Sequence, residues 1–248
     1  MKKIIFVLAA FAVIVIALSF KKTPQFQPVA VIELFTSQGC SSCPSADHLL
    51  SQTINESKKD GRKIFALSFH VDYWNRLGWT DPFSKSEFSE RQRDYSKQFK
   101  LESIYTPQLV VNGEYEFVGS SRSKAEEAIK KALMEKVSIR ISIDNVKTNG
   151  NKLSFVSHAE GDWDKNDLVA VLVQEKAIMN VRAGENSGAN LSHTNVVRSF
   201  KKQPATEKTS FELEIPESLA ANNWQLVVFA QQKNDLKISG AVLYTPPK

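Results

Sequence analysis

The chain has 248 residues, of which 42% are hydrophobic and 24% are charged, and its formal net charge is +5. These ordinary globular values exclude collagen-like, disordered and multi-span membrane proteins. The basic residues are scattered along the chain without an arginine-rich run, so the charge does not indicate a nucleic-acid partner.

The first 22 residues have the pattern of an export segment. Lys2 and Lys3 precede an apolar stretch from Ile4 to Phe20. The stretch is near the lower limit of the ~17–25 residues that span a bilayer, and small residues near its end suit a signal peptidase. We predict a signal peptide or a membrane anchor at 1–22, the latter giving a tether through residues 4–20. Because the positive end stays inside, the rest of the chain is expected in the periplasm or cell envelope, secreted or anchored.

Residues 23–136 are predicted to alternate strands and helices. The two longer strands are apolar without alternation, which favours strands covered on both faces, as in α/β proteins. The Asn112-Gly113 dipeptide predicts a tight hairpin. The predicted elements, in chain order, are a strand at 29–36, a helix at 43–59, a strand at 63–71, an aromatic-rich loop at 72–83, a helix at 84–100, strands at 108–111 and 115–118, and a helix at 123–136.

From residue 137 the pattern changes to short segments in which apolar and polar residues alternate. Many short strands separated by turn residues favour an antiparallel β-sandwich. The predicted fold class is therefore an α/β unit at 23–136 followed by an all-β, antiparallel sandwich-like domain at 137–248. The strand candidates are 137–144, 152–157, 168–174, 196–200, 210–215, 224–230 and 238–244.

Cys40 and Cys43 are the only cysteines, and they lie at the predicted junction between the first strand and the first helix. The free N–H groups and positive potential of a helix N-terminus stabilise a thiolate, which is the nucleophile in disulfide exchange. Cys40 is expected to attack and Cys43 to resolve the mixed disulfide. This role predicts an exposed Cys40. A purely structural disulfide in so short a loop would stabilise the fold little by chain entropy. A structural zinc site needs four ligands, so no metal or other cofactor is expected.

The strand, Cys-X-X-Cys and helix, with Thr106-Pro107 before a hairpin and a closing helix, resemble the thioredoxin superfamily over residues 29–136. The resemblance implies that Pro107 is a cis-proline beside the disulfide and that Thr106 contacts the backbone of a substrate. More closely, the chain is similar to a bacterial family of secreted thioredoxin-like proteins of unknown function. That similarity is carried by residues 33–44, 69–74, 106–108, 184–186 and 193–198.

Three positions extend or depart from the thioredoxin pattern. Glu33 lies where thioredoxin carries a buried acid, which implies a role as the base that deprotonates the resolving cysteine. The alternative is a glutamate at the edge or end of the strand. Gly39 replaces the aromatic residue that precedes the first cysteine, and Ser41-Ser42 replaces Gly-Pro.

The aromatic loop supplies further candidates. His70 and Trp74 lie at the end of the second strand, where ligands of α/β proteins usually bind. With Thr106 and Pro107 they are the predicted substrate-binding residues. The alternative is that the loop's aromatic residues only pack it onto the body. His193 and Arg198 follow a glycine-containing loop and, if functional, would form a polar cluster that faces the first unit.

The leading prediction is an extracytoplasmic thiol–disulfide oxidoreductase with Cys40, Cys43 and Glu33 as catalytic residues. Its expected partners are exported proteins or small-molecule thiols and disulfides, with no nucleic acid. One alternative is a module that handles Cu(I) through both cysteines and His70 or His193. The other is a non-enzymatic envelope adaptor that binds a partner through the β-domain.

Overall fold

The structure is a computed structural model that describes residues 26–219 and 223–247. The predicted export segment, residues 1–22, lies outside the described residues. The helices are α1 (Cys43–Asp60), α2 (Ser86–Phe99) and α3 (Arg122–Met134). The strands are β1 (Ala30–Thr36), β2 (Ile64–His70), β3 (Gln108–Val111), β4 (Tyr115–Val118), β5 (Ile139–Asn149), β6 (Lys152–Gly161), β7 (Asn166–Asn180), β8 (Asn190–Pro204), β9 (Lys208–Glu214), β10 (Trp224–Gln232) and β11 (Ile238–Tyr244).

Eight strands form one mixed sheet in the order β11-β10-β7-β8-β2-β1-β3-β4. Strands β1 and β2 are parallel, as a crossover helix requires, whereas β3 and β4 are antiparallel to their neighbours. The remaining strands of this sheet come from the second half of the chain. They join the first half where β8 runs parallel to β2, with Ser68 opposite Val196.

The second sheet is antiparallel, in the order β5-β6-β9. It packs on β7 and β10 of the large sheet through one apolar cluster, so two facing sheets do form beyond residue 137. The sandwich is not separate from the first half, however, because one of its sheets continues into β2 and β1. The expected architecture is thus found in part: a mixed α/β protein with a large mixed sheet and a small antiparallel one.

The alternation of side chains along β1 separates two layers. Ile32 and Leu34 pack against α1 and α3, while Val31 and Phe35 pack with α2 residues on the opposite face. Both faces of β1 are therefore buried, as its unbroken apolar sequence predicts.

Helix α1 begins at Cys43, and Pro44 occupies its first turn, where the missing N–H costs no hydrogen bond. It ends at Gly61, whose φ of 66° is the left-handed conformation that terminates helices. Pro44 therefore marks the end of the helix at which the cysteines lie, and Gly61 marks the opposite end.

Candidate functional site

Cys40 and Cys43 form a disulfide at the N-terminal end of α1, with Cα atoms 5.5 Å apart. The backbone N–H of Cys43 donates to the carbonyl oxygen of Cys40 at 3.2 Å, and Cys40 donates to Ser37 at 3.2 Å. Both cysteines are 0% exposed. The expectation of an exposed Cys40 is therefore wrong for the disulfide form, because segments from elsewhere in the chain cover the pair.

One cover comes from the connection between β7 and β8, and residues 184–186 are named here the cap loop. The side-chain amide of Asn186 donates to the carbonyl oxygens of Gln38 at 2.9 Å and Cys40 at 2.8 Å. Glu185 accepts hydrogen bonds from the backbone N–H of Ser41 at 2.9 Å and from its hydroxyl at 2.7 Å. These two bonds lower the pKa of the Glu185 carboxyl group.

The Glu185 carboxylate thus occupies an N–H group beside the start of α1, where a Cys40 thiolate would also gain its stabilisation. Two negative charges in that position would repel each other. The Ser41 N–H is engaged by Glu185 in this structure.

Trp74 forms the second cover. A Cβ placed on Gly39 would lie 3.2 Å from the Cβ of Trp74, and one placed on Gly184 would lie 3.7 Å from the Cα of Gly39. Glycine at position 39 therefore fits a gap between the aromatic loop and the cap loop. The larger aromatic residue of thioredoxin would not fit there, which explains the departure seen in the sequence.

The Trp74 indole N–H donates to the Thr106 hydroxyl at 2.8 Å. The Thr106–Pro107 peptide bond is cis, the form that the resemblance implies. A Cβ on Gly119 would lie 3.3 Å from the Cβ atoms of both Pro107 and Ala46. Ala46 lies one turn into α1, so the structure brings the predicted residues Trp74, Thr106 and Pro107 to the end of the helix that carries the disulfide.

Glu33 lies elsewhere. It is on the α2 face of β1, where its carboxylate accepts hydrogen bonds from Arg91 at 2.5 and 2.8 Å and from the Tyr95 hydroxyl at 2.5 Å. The carboxylate raises the pKa of Arg91, although burial alone would lower it. Thr36, on the opposite face, donates a hydrogen bond from its hydroxyl to Asp47 of α1. This geometry favours a structural ion pair for Glu33, and the predicted base role has no contact with the cysteines to support it.

His70 is fully buried, so the predicted substrate-binding role has no exposed surface of this side chain to support it. Its Nδ1 lies 2.7 Å from a carboxylate oxygen of Asp81. Burial lowers the pKa of His70, but the charge and hydrogen bond of Asp81 more than offset this, so the pKa is raised overall. The pKa of Asp81 is lowered in return, against the raising effect of burial. The same carboxylate accepts the N–H of Gln38 at 2.9 Å, which anchors the segment before Cys40.

His193 completes a second buried pair. Its Nδ1 lies 3.4 Å from Oδ2 of Asp47, and its ring centroid lies 4.7 Å from that of His70. Asp47 is on α1, so the polar cluster of the second half does face the first. Arg198 stacks its guanidinium on Phe83 at 4.9 Å and contacts Ser218, near this cluster.

Within the described ranges, no group of three or more His, Cys, Asp and Glu side chains is arranged to hold a metal ion. Nor is any helix there long and apolar enough to span a membrane.

Comparison with known proteins places the chain in a family. The model of the family described as "Protein of unknown function (DUF1223)" matches residues 31–231. The chain belongs to this family. That span includes the disulfide, the aromatic loop, the cap loop and His193, so the family's sequence pattern covers both halves of the site.

A solved structure resembles this DUF1223 protein over nearly its whole length. The X-ray structure of protein AGR_C_4864 from Agrobacterium tumefaciens has 25% sequence identity and a TM-score of 0.68, covering 91% of this chain and 97% of that one. A beta-glucosidase from Kluyveromyces marxianus in complex with glucose has a TM-score of 0.22 at 12% identity, covering 45% of this chain and 14% of that one. That likeness is too weak to carry any argument. No curated protein matches the sequence.

Sequence reasoning missed three acidic residues of this DUF1223 site: Asp47, Asp81 and Glu185. The signal for Asp47 was its position four residues after Cys43, which places the two on one helix face. Asp81 gave no such signal, because its partner His70 is reached only through the fold of the aromatic loop. Residues 184–186 carry part of the family resemblance in the sequence, but no sequence pattern indicates that they contact Ser41 and Cys40.

Proposed function

We propose that this protein is a thioredoxin-like thiol–disulfide oxidoreductase that works outside the cytoplasm and exchanges the Cys40–Cys43 disulfide with exported proteins or small thiols. The observation that carries the proposal is the Cys40–Cys43 disulfide at the first turn of α1. At that position the helix supplies free N–H groups and a partial positive charge to a thiolate.

The surrounding architecture supports a thioredoxin-like arrangement. The strand order β2-β1-β3-β4 has a parallel pair followed by antiparallel ones. Helices α1 and α3 cover one face, and α2 covers the other. A strand, the Cys-X-X-Cys helix and a later hairpin in that order are the elements on which the sequence resemblance rests.

The reaction uses the two sulfurs in sequence. A substrate thiolate attacks the disulfide at Cys40, which forms a mixed disulfide and leaves Cys43 reduced. A second thiolate then attacks the mixed disulfide and releases Cys40. In the reverse direction Cys43 attacks, re-forms the Cys40–Cys43 bond and expels the reduced substrate. Because both sulfurs are buried, each direction requires the cap loop to move away from Cys40.

The location outside the cytoplasm is part of the same proposal. Its support is the lysine-flanked apolar stretch at residues 4–20 together with a Cys-X-X-Cys disulfide, since disulfides persist in oxidising compartments. Cell fractionation, with N-terminal sequencing of the isolated protein, tests this part. Recovery from the cytoplasm with an intact N-terminus would contradict it.

The redox role is tested by the equilibrium potential of the pair, measured by alkylation and mass analysis in thiol redox buffers. A midpoint between about −120 and −270 mV, the range of known exchange proteins, is expected. A midpoint below about −300 mV would indicate a structural disulfide instead. The Cys43→Ser variant should also trap mixed disulfides through Cys40, and the Cys40→Ser variant is its matched control.

One observation favours a second candidate. Both cysteines are 0% exposed, as in a disulfide that only holds a fold together. The protein would then be an envelope adaptor that binds a partner without redox chemistry. A variant with both cysteines replaced by serine separates the candidates: full biological activity supports the adaptor, and loss with retained folding supports the oxidoreductase.

A further inference from the structure

Asp47 has one carboxylate oxygen held and the other free. Oδ2 accepts the Thr36 hydroxyl at 3.2 Å and lies 3.4 Å from Nδ1 of His193. Among residues 26–219 and 223–247, Oδ1 has no hydrogen-bond partner, although the residue is only 5% exposed. A buried carboxylate oxygen without a donor is costly, so it calls for a functional explanation.

The position of Asp47 on α1 shows which group it can serve. Residues four apart on a helix are neighbours, with Cβ atoms about 5–6 Å apart. Helical side chains also lean toward the N-terminus and so cover the preceding turn. For Asp47 that turn is the one that begins at Cys43, which is itself 0% exposed. The helical spacing therefore leads us to expect the Cys43 thiol of the opened disulfide and the Asp47 carboxylate to be neighbours.

The other acids and bases near the pair are less suited to Cys43. Glu33 is on the opposite face of β1 and bound by Arg91. Glu185 is exposed and bound to Ser41, on the Cys40 side. His48 is exposed, and its ring is paired with Gln52 at 2.8 Å.

We propose that Asp47 is the proton acceptor for the Cys43 thiol, that Thr36 is a positioning residue whose hydroxyl holds the other oxygen, and that His193 is a positioning residue that lies beside that oxygen. The inference rests on the proposed redox function. In the resolving step, Asp47 takes the Cys43 proton as the Cys43 sulfur attacks the Cys40 sulfur. The Cys40–Cys43 bond forms, the bond from Cys40 to the substrate sulfur breaks, and the substrate leaves as a thiolate that is protonated by water. The two cysteines are oxidised and the substrate disulfide is reduced.

The charges that face Asp47 come from three elements. His193 and Arg198 belong to β8, His70 belongs to β2, and Asp81 of the aromatic loop pairs with His70 on its far side. The negative charge of Asp47 helps to raise the pKa of His70, while Arg198 lowers it. His70 therefore interacts with two acidic residues, Asp81 and Asp47.

The experiment follows the reduced protein as it reacts with the aromatic disulfide of thionitrobenzoate, by stopped flow from pH 5.5 to 9. The first coloured thiolate is released by Cys40 and the second by Cys43 as it resolves the mixed disulfide. A free thiol of pKa about 8.5 is only ~3% ionised at pH 7. We expect the second release in the wild type to show no rise centred near pH 8.5. In Asp47→Asn it should slow about 30-fold at pH 7 and recover as the pH approaches about 8.5.

Matched variants separate a proton role from a structural one. Asp60→Asn, at the last residue of the same helix, should behave as the wild type in both phases. His193→Gln should slow the second phase only, and Asp47→Glu should restore part of the rate. An Asp47→Asn profile identical to the wild type would overturn the inference.

The pH dependence of the second phase in the wild type tests the inference even if the Asp47→Asn variant fails to fold. A wild-type second phase that rises tenfold per pH unit up to about 8.5 would show an unassisted thiol and overturn the inference, leaving the redox function intact. Absence of both phases would instead contradict the proposed function itself.

Discussion

The side-chain amide nitrogen of Asn186 lies 2.8 Å from the backbone carbonyl oxygen of Cys40, although 146 residues separate them in the chain. This bond joins the β7–β8 connection to the disulfide that opens α1. The second half of the chain therefore forms part of the candidate site, through the cap loop at Cys40 and through His193 beside Asp47.

Replacing Asn186 by alanine is expected to speed the reduction of the disulfide. The change removes two hydrogen bonds, to the carbonyl oxygens of Gln38 and Cys40. At about 0.5–1.5 kcal/mol for each bond, the open cap loop becomes about 5- to 160-fold more populated. The rate of reduction by dithiothreitol, followed by alkylation and mass analysis, should rise by a similar factor.

Asn190→Ala is the matched control. Asn190 is an exposed asparagine of the same hairpin, and its side-chain amide donates to the side-chain oxygen of Asn180 at 2.6 Å. Its reduction rate should equal that of the wild type. Equal rates for Asn186→Ala and the wild type would show that the cap loop does not limit access to Cys40.

Glu33→Gln is expected to destabilise the fold without altering the redox chemistry. It leaves the Arg91 guanidinium buried without its counter-charge, which costs about 3–5 kcal/mol. Denaturant unfolding measures this loss. The rates of both thiol-release phases should stay unchanged at pH 7, whereas the base role predicted from sequence requires the second phase to slow.

The double variant Glu33→Leu with Arg91→Met serves as the control for this pair. Replacing a buried ion pair by apolar residues is often neutral or stabilising. Arg91 also packs against the rings of Phe69 and Phe229, which a methionine can still contact. Recovery of most of the lost stability is expected, and no recovery would mean that the ion pair itself holds the fold.

The buried His70–Asp81 pair is expected to make stability depend on pH in two directions. The pKa of His70 is raised above 6.5, so its stabilisation is complete below that pH and is lost as the pH rises through the raised value. The pKa of Asp81 is lowered below 3.8, so its contribution is present above that pH and is lost as the pH falls through the lowered value. The pair therefore contributes most between about pH 4 and 6.5.

Asp81→Asn should cost about 3–5 kcal/mol near pH 5.5, where His70 would be charged and unpaired, and less near pH 8. Urea unfolding at the two pH values measures the difference. Asp144→Asn is the control, because it breaks a His–Asp pair of the same 2.7 Å length on the surface, with His158. That change should cost under about 1 kcal/mol at either pH.

Local patterns predicted the elements well. Unbroken apolar runs indicated β1 and β2, and Asn112-Gly113 indicated the turn between β3 and β4. Seven short segments separated by turn residues located the strands after residue 137, although β7 and β8 extend well beyond the predicted 168–174 and 196–200. The failures involve contacts between distant segments. Nothing in a strand pattern indicates that β8 pairs with β2, because one register position, Ser68 with Val196, makes the connection.

The site was predictable where its chemistry is local and not where it depends on burial. Cys40, Cys43 and the Thr106-Pro107 dipeptide were found from spacing and resemblance. The thioredoxin resemblance implies a base role for Glu33, whereas its partner Arg91 lies 58 residues away and no sequence pattern links the two. His70 was placed in contact with substrate for the same reason, since its burial depends on Asp81 and on the packing of Phe83 against its ring.

Gly39→Trp is expected to expose the Cys40–Cys43 disulfide by displacing a neighbouring loop. A Cβ at this position would already lie 3.2 Å from that of Trp74, so an indole must displace either the aromatic loop or the cap loop. Overpacking of this kind costs about 1–3 kcal/mol, and the disulfide should become reducible faster. Gly39→Ala, which needs a shift of only a few tenths of an ångström, should change both quantities little.

A double variant tests whether the two openings are the same event. If Gly39→Trp acts by displacing the cap loop, its effect on the reduction rate should be smaller in the Asn186→Ala background than in the wild type, because contacting groups are not additive. Full additivity of the two effects would place the displacement in the aromatic loop around Trp74 instead. In that case Trp74→Phe, which loses the hydrogen bond to Thr106, should reproduce the faster reduction alone.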